Sequence, residues 1–418
     1  MTKRVKAVVG PFTTIVGGAE LVKAEASRVL CNMGYSVVLA GLTHVELRHL
    51  PVDVSATGCM EFNYLLPWFP QALGLYQVHL ASKAVEKAIR LHRPCLVFID
   101  SEGSRVIDGL KERMGFKLVK YIHFPHSLYL ATRNCSRTGS RVLSLYCRDA
   151  LSYSRKYFSS MFWRTYWATY LKVLESTLPE NPFQHADLVM VNSEYTRDLL
   201  RELYGVKARV VYPPVHIEDL LECGRKGFNE RDNSIVMVGR ISSEKRHDDV
   251  IKAVGMLDDK PVVRVIGALT RGNLGYLAYL RKLASKHNVR LEVYFNAPRR
   301  TLAETLCSSK ALVHAAIGEH FGIAVVEAMA AGAPVIVNRE SGSYRDILGG
   351  GYYGLGYSSI EELSESIYLI LHDSSLWTKY HELSRHRSIS YDSRVFDELF
   401  SKEIHGLGGG STYVGEGS

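Results

Sequence analysis

The chain is 418 residues long, 46% hydrophobic and 22% charged, with a formal net charge of +8. That length exceeds one ordinary domain and fits two of about 200 residues, and the balance excludes a disordered or fibrous chain. The charge is local: twelve Lys/Arg between Lys111 and Lys172 stand against Glu112 and Asp149, a balance of +10 that leaves −2 elsewhere, so general nucleic-acid binding is not expected.

In chain order, residues 5–9 read as a strand, followed by a loop holding Gly17 and Gly18. A helix is predicted over 19–33, where Leu21, Val22, Ala26, Val29 and Leu30 recur at helical spacing. Gly34 stops it, and 36–40 is a short buried strand, which completes a β-α-β unit. Apolar runs at 95–99, 118–122 and 188–191 alternate with helical stretches, as in a parallel sheet covered on both faces. Prolines, glycines and charges cluster between Tyr212 and Asn233, and the pattern then restarts. Strands are predicted at 234–238, 262–266, 290–295, 311–314 and 334–338, with helices at 248–257, 277–286 and 302–308. The expectation is an α/β protein of two successive Rossmann-like, doubly wound domains, 1–220 and 221–395. Residues 396–418 would be the end of a C-terminal helix and a Gly/Ser-rich disordered tail.

The seven cysteines (31, 59, 95, 135, 147, 223 and 307) are scattered and form no Cys-x-x-Cys. Reduced thiols in a cytosolic compartment are expected, without a disulfide frame or zinc site. No apolar run reaches eighteen residues; the nearest, 62–80, is broken by Pro67 and Pro70. The start, MTKRVKAVVG, has no signal-peptide pattern. These features predict a soluble, cytoplasmic protein.

The chemistry is densest in GEHFGIAVVEAMAAGAPVI, residues 318–336. Glu319 and Glu327 are eight residues apart, about 80° apart on one helix, so they are no acid/base couple. The segment reads instead as a turn entering a helix over 323–331, with Gly332 as its stop and Pro334 forbidding continuation. Backbone N–H groups at Gly322 and Ile323 then form a positive helix end suited to an anion. Upstream, GRISSEKRH (239–247) places Arg240 and Lys245 after the first strand of the same half. Alone it fits a solvated surface loop better than a ligand site. Together the two motifs project from one sheet edge and suit a diphosphate held by Arg240, Lys245 and the helix end. A carboxylate at each end suits vicinal hydroxyls: Glu327 on a ribose, Glu319 on a sugar. The ligand that fits is a nucleotide sugar.

These residues, Glu319-x7-Glu327 and Gly239-Arg240-x4-Lys245, resemble the signatures of glycosyltransferase family 4. The resemblance covers most of the chain to about residue 400. It implies a retaining enzyme of the GT-B fold, with two Rossmann-like domains facing a central cleft and the donor held by the second. The strings His314-x4-Glu319-His-Phe-Gly, Glu244-Lys245-x-His247, Tyr121-Ile-His-Phe-Pro125 and Val210-Val-Tyr-Pro-Pro214 are most similar to the α-1,2-mannosyltransferases of dolichol-linked oligosaccharide assembly. Mannose from GDP-mannose, passed to a lipid-linked saccharide or glycan, is the implied reaction. The resemblance further assigns Gly17 and Gly18 to a glycine loop facing the cleft, and His123 to contact with the transferred sugar. Read by themselves, Gly17-Gly18 is a common turn and His123 equally a histidine in a turn before Pro125. His126 has no such support. Asp100 and Glu102, ending the run at 95–99, are acceptor-site candidates or strand-end caps. Glu319 is expected to position the sugar and stabilise developing charge rather than attack it. No Asp-x-Asp pair is present. With Arg240, Lys245 and a helix end for the leaving group, neither metal nor cofactor is expected.

The stretch 152–172, SYSRKYFSSMFWRTYWATYLK, gathers Phe158, Phe162, Trp163, Tyr166, Trp167 and Tyr170 on one half of a helix. With Arg155, Lys156 and Arg164 nearby, it suits an anionic membrane surface or a pyrophosphate lipid, and equally a helix packed on the first domain. The expected site is peripheral, at the inner face of a membrane. Rival functions are a GT-B-fold sugar-nucleotide epimerase and a transferase using a UDP-sugar and a soluble acceptor. A nicotinamide dehydrogenase lacks its Gly-x-Gly-x-x-Gly turn.

Overall fold

The computed structural model describes residues 5–13, 17–43, 58–69, 74–131 and 161–407. The chain divides into two compact units, Met1–Pro214 with Arg394–Ser418, and Val215–Ser393.

The first unit is built on seven parallel strands in the order β3-β2-β1-β4-β5-β6-β7. They are β1 (Lys6–Phe12), β2 (Ser36–Gly41), β3 (Met60–Tyr64), β4 (Leu96–Ile99), β5 (Lys117–Ile122), β6 (Leu188–Val191) and β7 (Arg209–Val210). Covered on both faces, the central strands are continuous apolar runs, and Val8, Val38, Val97 and Leu118 share one core. Local signals set the helix ends. Ser104 caps Arg105–Met114 by accepting from the Ile107 amide, and Ser193 caps Glu194–Tyr204 by accepting from the Thr196 amide. Gly115 and Gly205 end those helices in left-handed conformation. The helix Gly18–Asn32 breaks the pattern by burying Glu20, Lys23 and Glu25.

The second unit repeats the plan with six parallel strands ordered β10-β9-β8-β11-β12-β13. They are β8 (Asp232–Val238), β9 (Val262–Gly267), β10 (Leu291–Phe295), β11 (Ser309–His314), β12 (Val335–Asn338) and β13 (Leu355–Tyr357). In both sheets the order reverses beside the first strand, where open α/β sheets place their ligands.

The chain crosses between units after Pro214 rather than at 220/221, and it crosses back. The helix Ser393–Gly406 lies mostly in the first unit, where Phe400 meets Phe98 at 5.5 Å and Asp397 pairs with Arg28 at 2.5 Å. The expected tail from 408 onward lies outside the described residues. The cysteine expectation is corrected at four positions: Cys31 bonds Cys59, and Cys223 bonds Cys307. These partners are 28 and 84 residues apart in sequence and meet only through the fold. Cys95 is free and exposed.

Candidate active site

In the second unit, Lys245 sits on the turn Ser243–Lys245 after β8, and Glu319 on the loop after β11. Because β8 and β11 are parallel neighbours, both loops leave the same sheet edge at the switch point. The structure brings the two side chains together: Lys245 Nζ donates to Glu319 Oε2 at 2.5 Å. His314, the last residue of β11, lies 3.2 Å from the same oxygen through Nε2. Burial opposes ionisation of Glu319, but Lys245 and His314 outweigh it and hold its carboxyl well below the usual range. Glu319 is therefore an anion and accepts hydrogen bonds only.

A second loop fixes the backbone around Glu319. The Gly342 amide donates to Glu319 O at 2.6 Å, the Gly318 amide to Glu340 O at 2.8 Å, and Ser343 Oγ to Phe321 O. Contact is so close that a Cβ on Gly342 would lie 2.2 Å from His320 O, so only glycine fits there. Gly322, at φ +103, turns the chain into the helix Ile323–Ala330, whose first N–H groups have no intrahelical acceptor. Burial pushes the neighbouring His320 down to about 4, which keeps it neutral.

Arg240 is half exposed, 3.4 Å from Glu244. Glu327 is buried and bonded to Arg299, on the helix Arg299–Ser308. Arg299 also donates to both oxygens of Asp219, at 2.8 and 2.9 Å, and to His216 O at 2.8 Å. Burial pushes the Glu327 carboxyl upward despite Arg299. Sequence reasoning missed Arg299 and Asp219 altogether. His314 was visible only as part of a string, with no role.

In the first unit, strand ends β1, β4 and β5 carry a buried charged cluster. Lys23 Nζ reaches Asp100 Oδ2 and Pro11 O at 2.7 Å each and Glu20 Oε1 at 3.4 Å. His123 Nε2 lies 4.0 Å from Asp100 Oδ2, and its ring packs 4.8 Å from that of Tyr121. Burial pushes Asp100 up to about 6 against the pull of Lys23. Glu102 rises to about 6 for the same reason, although it accepts from the Ser127 amide at 2.9 Å. The cluster unites Asp100 and His123 and adds Lys23 and Glu20, which apolar periodicity had hidden inside a helix. Gly17 caps that helix with extended backbone and Gly18 opens it; both are exposed. A Cβ on Gly17 would meet nothing within 4 Å, so the fold itself does not require glycine there. His126 is structural, its Nδ1 2.7 Å from the Tyr170 hydroxyl.

The aromatic helix splits in two. In Met161–Thr177, Trp167 and Tyr170 are buried with Leu174, Leu178, Tyr195 and Leu199. Trp167 is thus a core residue, which corrects its place among surface contacts: its arc faces Leu128 and the helix Glu194–Tyr204. Met161, Phe162, Trp163 and Arg164 are exposed. Arg155 and Lys156 lie outside the described residues. Among the described residues no helix is long and apolar enough to cross a membrane.

The curated relatives include proteins named GDP-Man:Man(3)GlcNAc(2)-PP-Dol alpha-1,2-mannosyltransferase. That of Dictyostelium discoideum is 25% identical over 338 residues, 74% of this chain and 63% of the relative. The human one is 28% identical over 243 residues, 53% of this chain and 49% of its own. The chain thus spans less than two thirds of either. Among solved structures, Anabaena HepE in complex with UDP and glucose matches with TM-score 0.65 and 16% identity over 96% of this chain and all of HepE. Sucrose-phosphate synthase from Thermosynechococcus elongatus matches with TM-score 0.70 and 15% identity over 98% of this chain and 100% of its own. The fold they share with this chain is GT-B. The model for Glycosyltransferase Family 4 matches residues 16–219, and that for Glycosyl transferases group 1 matches 223–387. Between them only the chain's ends and residues 220–222 stay uncovered, and the chain belongs to this family of glycosyltransferases.

Proposed function

We propose that this protein is a retaining hexosyltransferase that moves mannose from GDP-mannose to a lipid-linked saccharide at a membrane surface. The observation that carries the reading is the convergence of Lys245 and Glu319 at the switch point, beside a helix N-terminus. Lys245, Arg240 and the amides of Gly322 and Ile323 bind the diphosphate, and Glu327, oriented by Arg299, takes the ribose. Anionic Glu319 stabilises the positive charge that develops on the sugar ring as the phosphate departs. His123 contacts the transferred sugar, and exposed Gly17 and Gly18 let the ligand approach bare backbone. Leaving-group charge falls on protein cations and helix amides, so the reaction is proposed to need no metal. Met161, Phe162, Trp163 and Arg164, with Arg155 and Lys156, supply the membrane contact; apolar residues beside cations suit an anionic interface.

The donor and acceptor are those named for the relatives. The test supplies radiolabelled GDP-mannose and a lipid-linked mannose-terminated acceptor with EDTA present, and reads the anomeric configuration of the product by NMR. An α-mannoside formed in EDTA is the expected result. Transfer from UDP-glucose alone, inversion, or dependence on added manganese would each overturn the corresponding part. Charge reversal at Arg155, Lys156 and Arg164 should release the protein from anionic liposomes; unchanged binding counts against membrane contact there.

A further inference from the structure

Lys245 and His314 converge on a single oxygen, Glu319 Oε2, at 2.5 and 3.2 Å. The two partners are built differently. Lys245 is a flexible four-carbon stem on a short turn, with its side chain 20% exposed. His314 is 5% exposed and set in a parallel strand, opposite Val337 of β12. One partner can move and the other is fixed.

We propose that His314 is a positioning residue that keeps Glu319 oriented when Lys245 turns to the donor diphosphate. This rests on the reading of Lys245 as a diphosphate ligand. A diphosphate carries more charge than one carboxylate and draws the ammonium toward itself. If Lys245 alone held Glu319, donor binding would release the carboxylate just when it must face the sugar. His314 prevents that release. Since Glu319 is an acceptor only, the bond requires His314 to carry its proton on Nε2 and donate it. The arrangement is a handover: two donors hold the carboxylate before the donor sugar arrives, and one rigid donor holds it afterwards.

The test uses the full chain with His314→Ala and His314→Gln, the amide of glutamine being able to donate from about the reach of Nε2. GDP affinity by calorimetry should change less than about twofold, because the handover gives His314 a contact with Glu319 and none with the diphosphate. Turnover of GDP-mannose should fall about 10- to 100-fold in His314→Ala, the scale expected when a reacting group loses its alignment. His314→Gln should recover most of that loss. The melting temperature should barely move in His314→Gln, which keeps most of the buried volume while Lys245 still holds Glu319 in the unliganded protein; His314→Ala opens a cavity and should melt lower. Equal losses of GDP affinity and kcat, a kcat loss below about threefold in His314→Ala, no recovery with glutamine, or a His314→Gln protein that fails to fold would each overturn the proposal. A wild-type protein that binds neither GDP nor UDP removes the diphosphate reading and the handover with it, an outcome told apart from the others before any variant is made.

Discussion

Glu319 and Glu327 are both glutamates at one helix, yet their surroundings set them to different tasks. Glu319 has Lys245 and His314 on one oxygen and stays ionised. Glu327 is enclosed and tied to Arg299, which is itself tied to Asp219. An anion beside the proposed diphosphate site can stabilise positive charge; a clamped carboxylate can grip a neutral polyol. The consequence is asymmetric kinetics. Glu319→Gln keeps the shape and removes the charge, so kcat should fall by about 10²- to 10³-fold while GDP-mannose affinity stays near wild type. Glu327→Gln should chiefly weaken donor binding. Steady-state kinetics with direct donor binding checks both, and a Glu319→Gln defect confined to affinity would contradict the assignment.

At the scale of elements, Met161–Thr177 shows what a helical arc does and does not say. The aromatic spacing was legible, but only packing partners decide which aromatics are covered. Leu128 and the helix Glu194–Tyr204 cover Trp167 and Tyr170 and leave Met161, Phe162 and Trp163 in solvent. Trp167→Ala should therefore cost about 3–5 kcal/mol by opening a core cavity, whereas Phe162→Ser should stay within about 0.5 kcal/mol. Urea denaturation at neutral pH measures both, and comparable losses would show that the exposed end is structural. The same rule explains which elements the sequence announced. Buried strands such as β6, with residues 188–191 expected and found, declare themselves by apolar continuity. The edge strand β3 leaves most of its residues partly or fully exposed and carries no such signal. The motif after β11 was legible down to its helix start at Ile323, because glycine, proline and charge there act locally. Lys23 and Arg299 gain their meaning from Asp100, Asp219 and Glu327, partners brought up by other elements, which no local pattern encodes, whereas His314 meets Glu319 five residues on, a contact set by the turn that follows β11.

Across the whole molecule, buried titratable groups set how stability responds to acid. Burial pushes His126 in the first unit, and His247 and His320 in the second, down to about 4 from 6.5. A histidine that is neutral in the fold contributes stability above its unfolded pKa, and that contribution is lost as pH falls from 6.5 toward 4. Asp100 and Glu102 act in the opposite sense. Their folded values of about 6 exceed the ordinary 3.8 and 4.5, so the fold binds their protons first and gains stability as pH falls through the same window. These three histidines outweigh these two carboxyls, each histidine being displaced further; burial also raises Glu327 and lowers His79, His92 and His381. The protein should melt at a lower temperature at pH 5 than at pH 7. His126→Asn retains a side chain able to bond the Tyr170 hydroxyl but cannot take up a proton, so it should narrow that difference. Melting curves of both proteins at the two pH values decide the matter; a difference unchanged by His126→Asn would mean that protonation of this buried ring does not govern acid sensitivity.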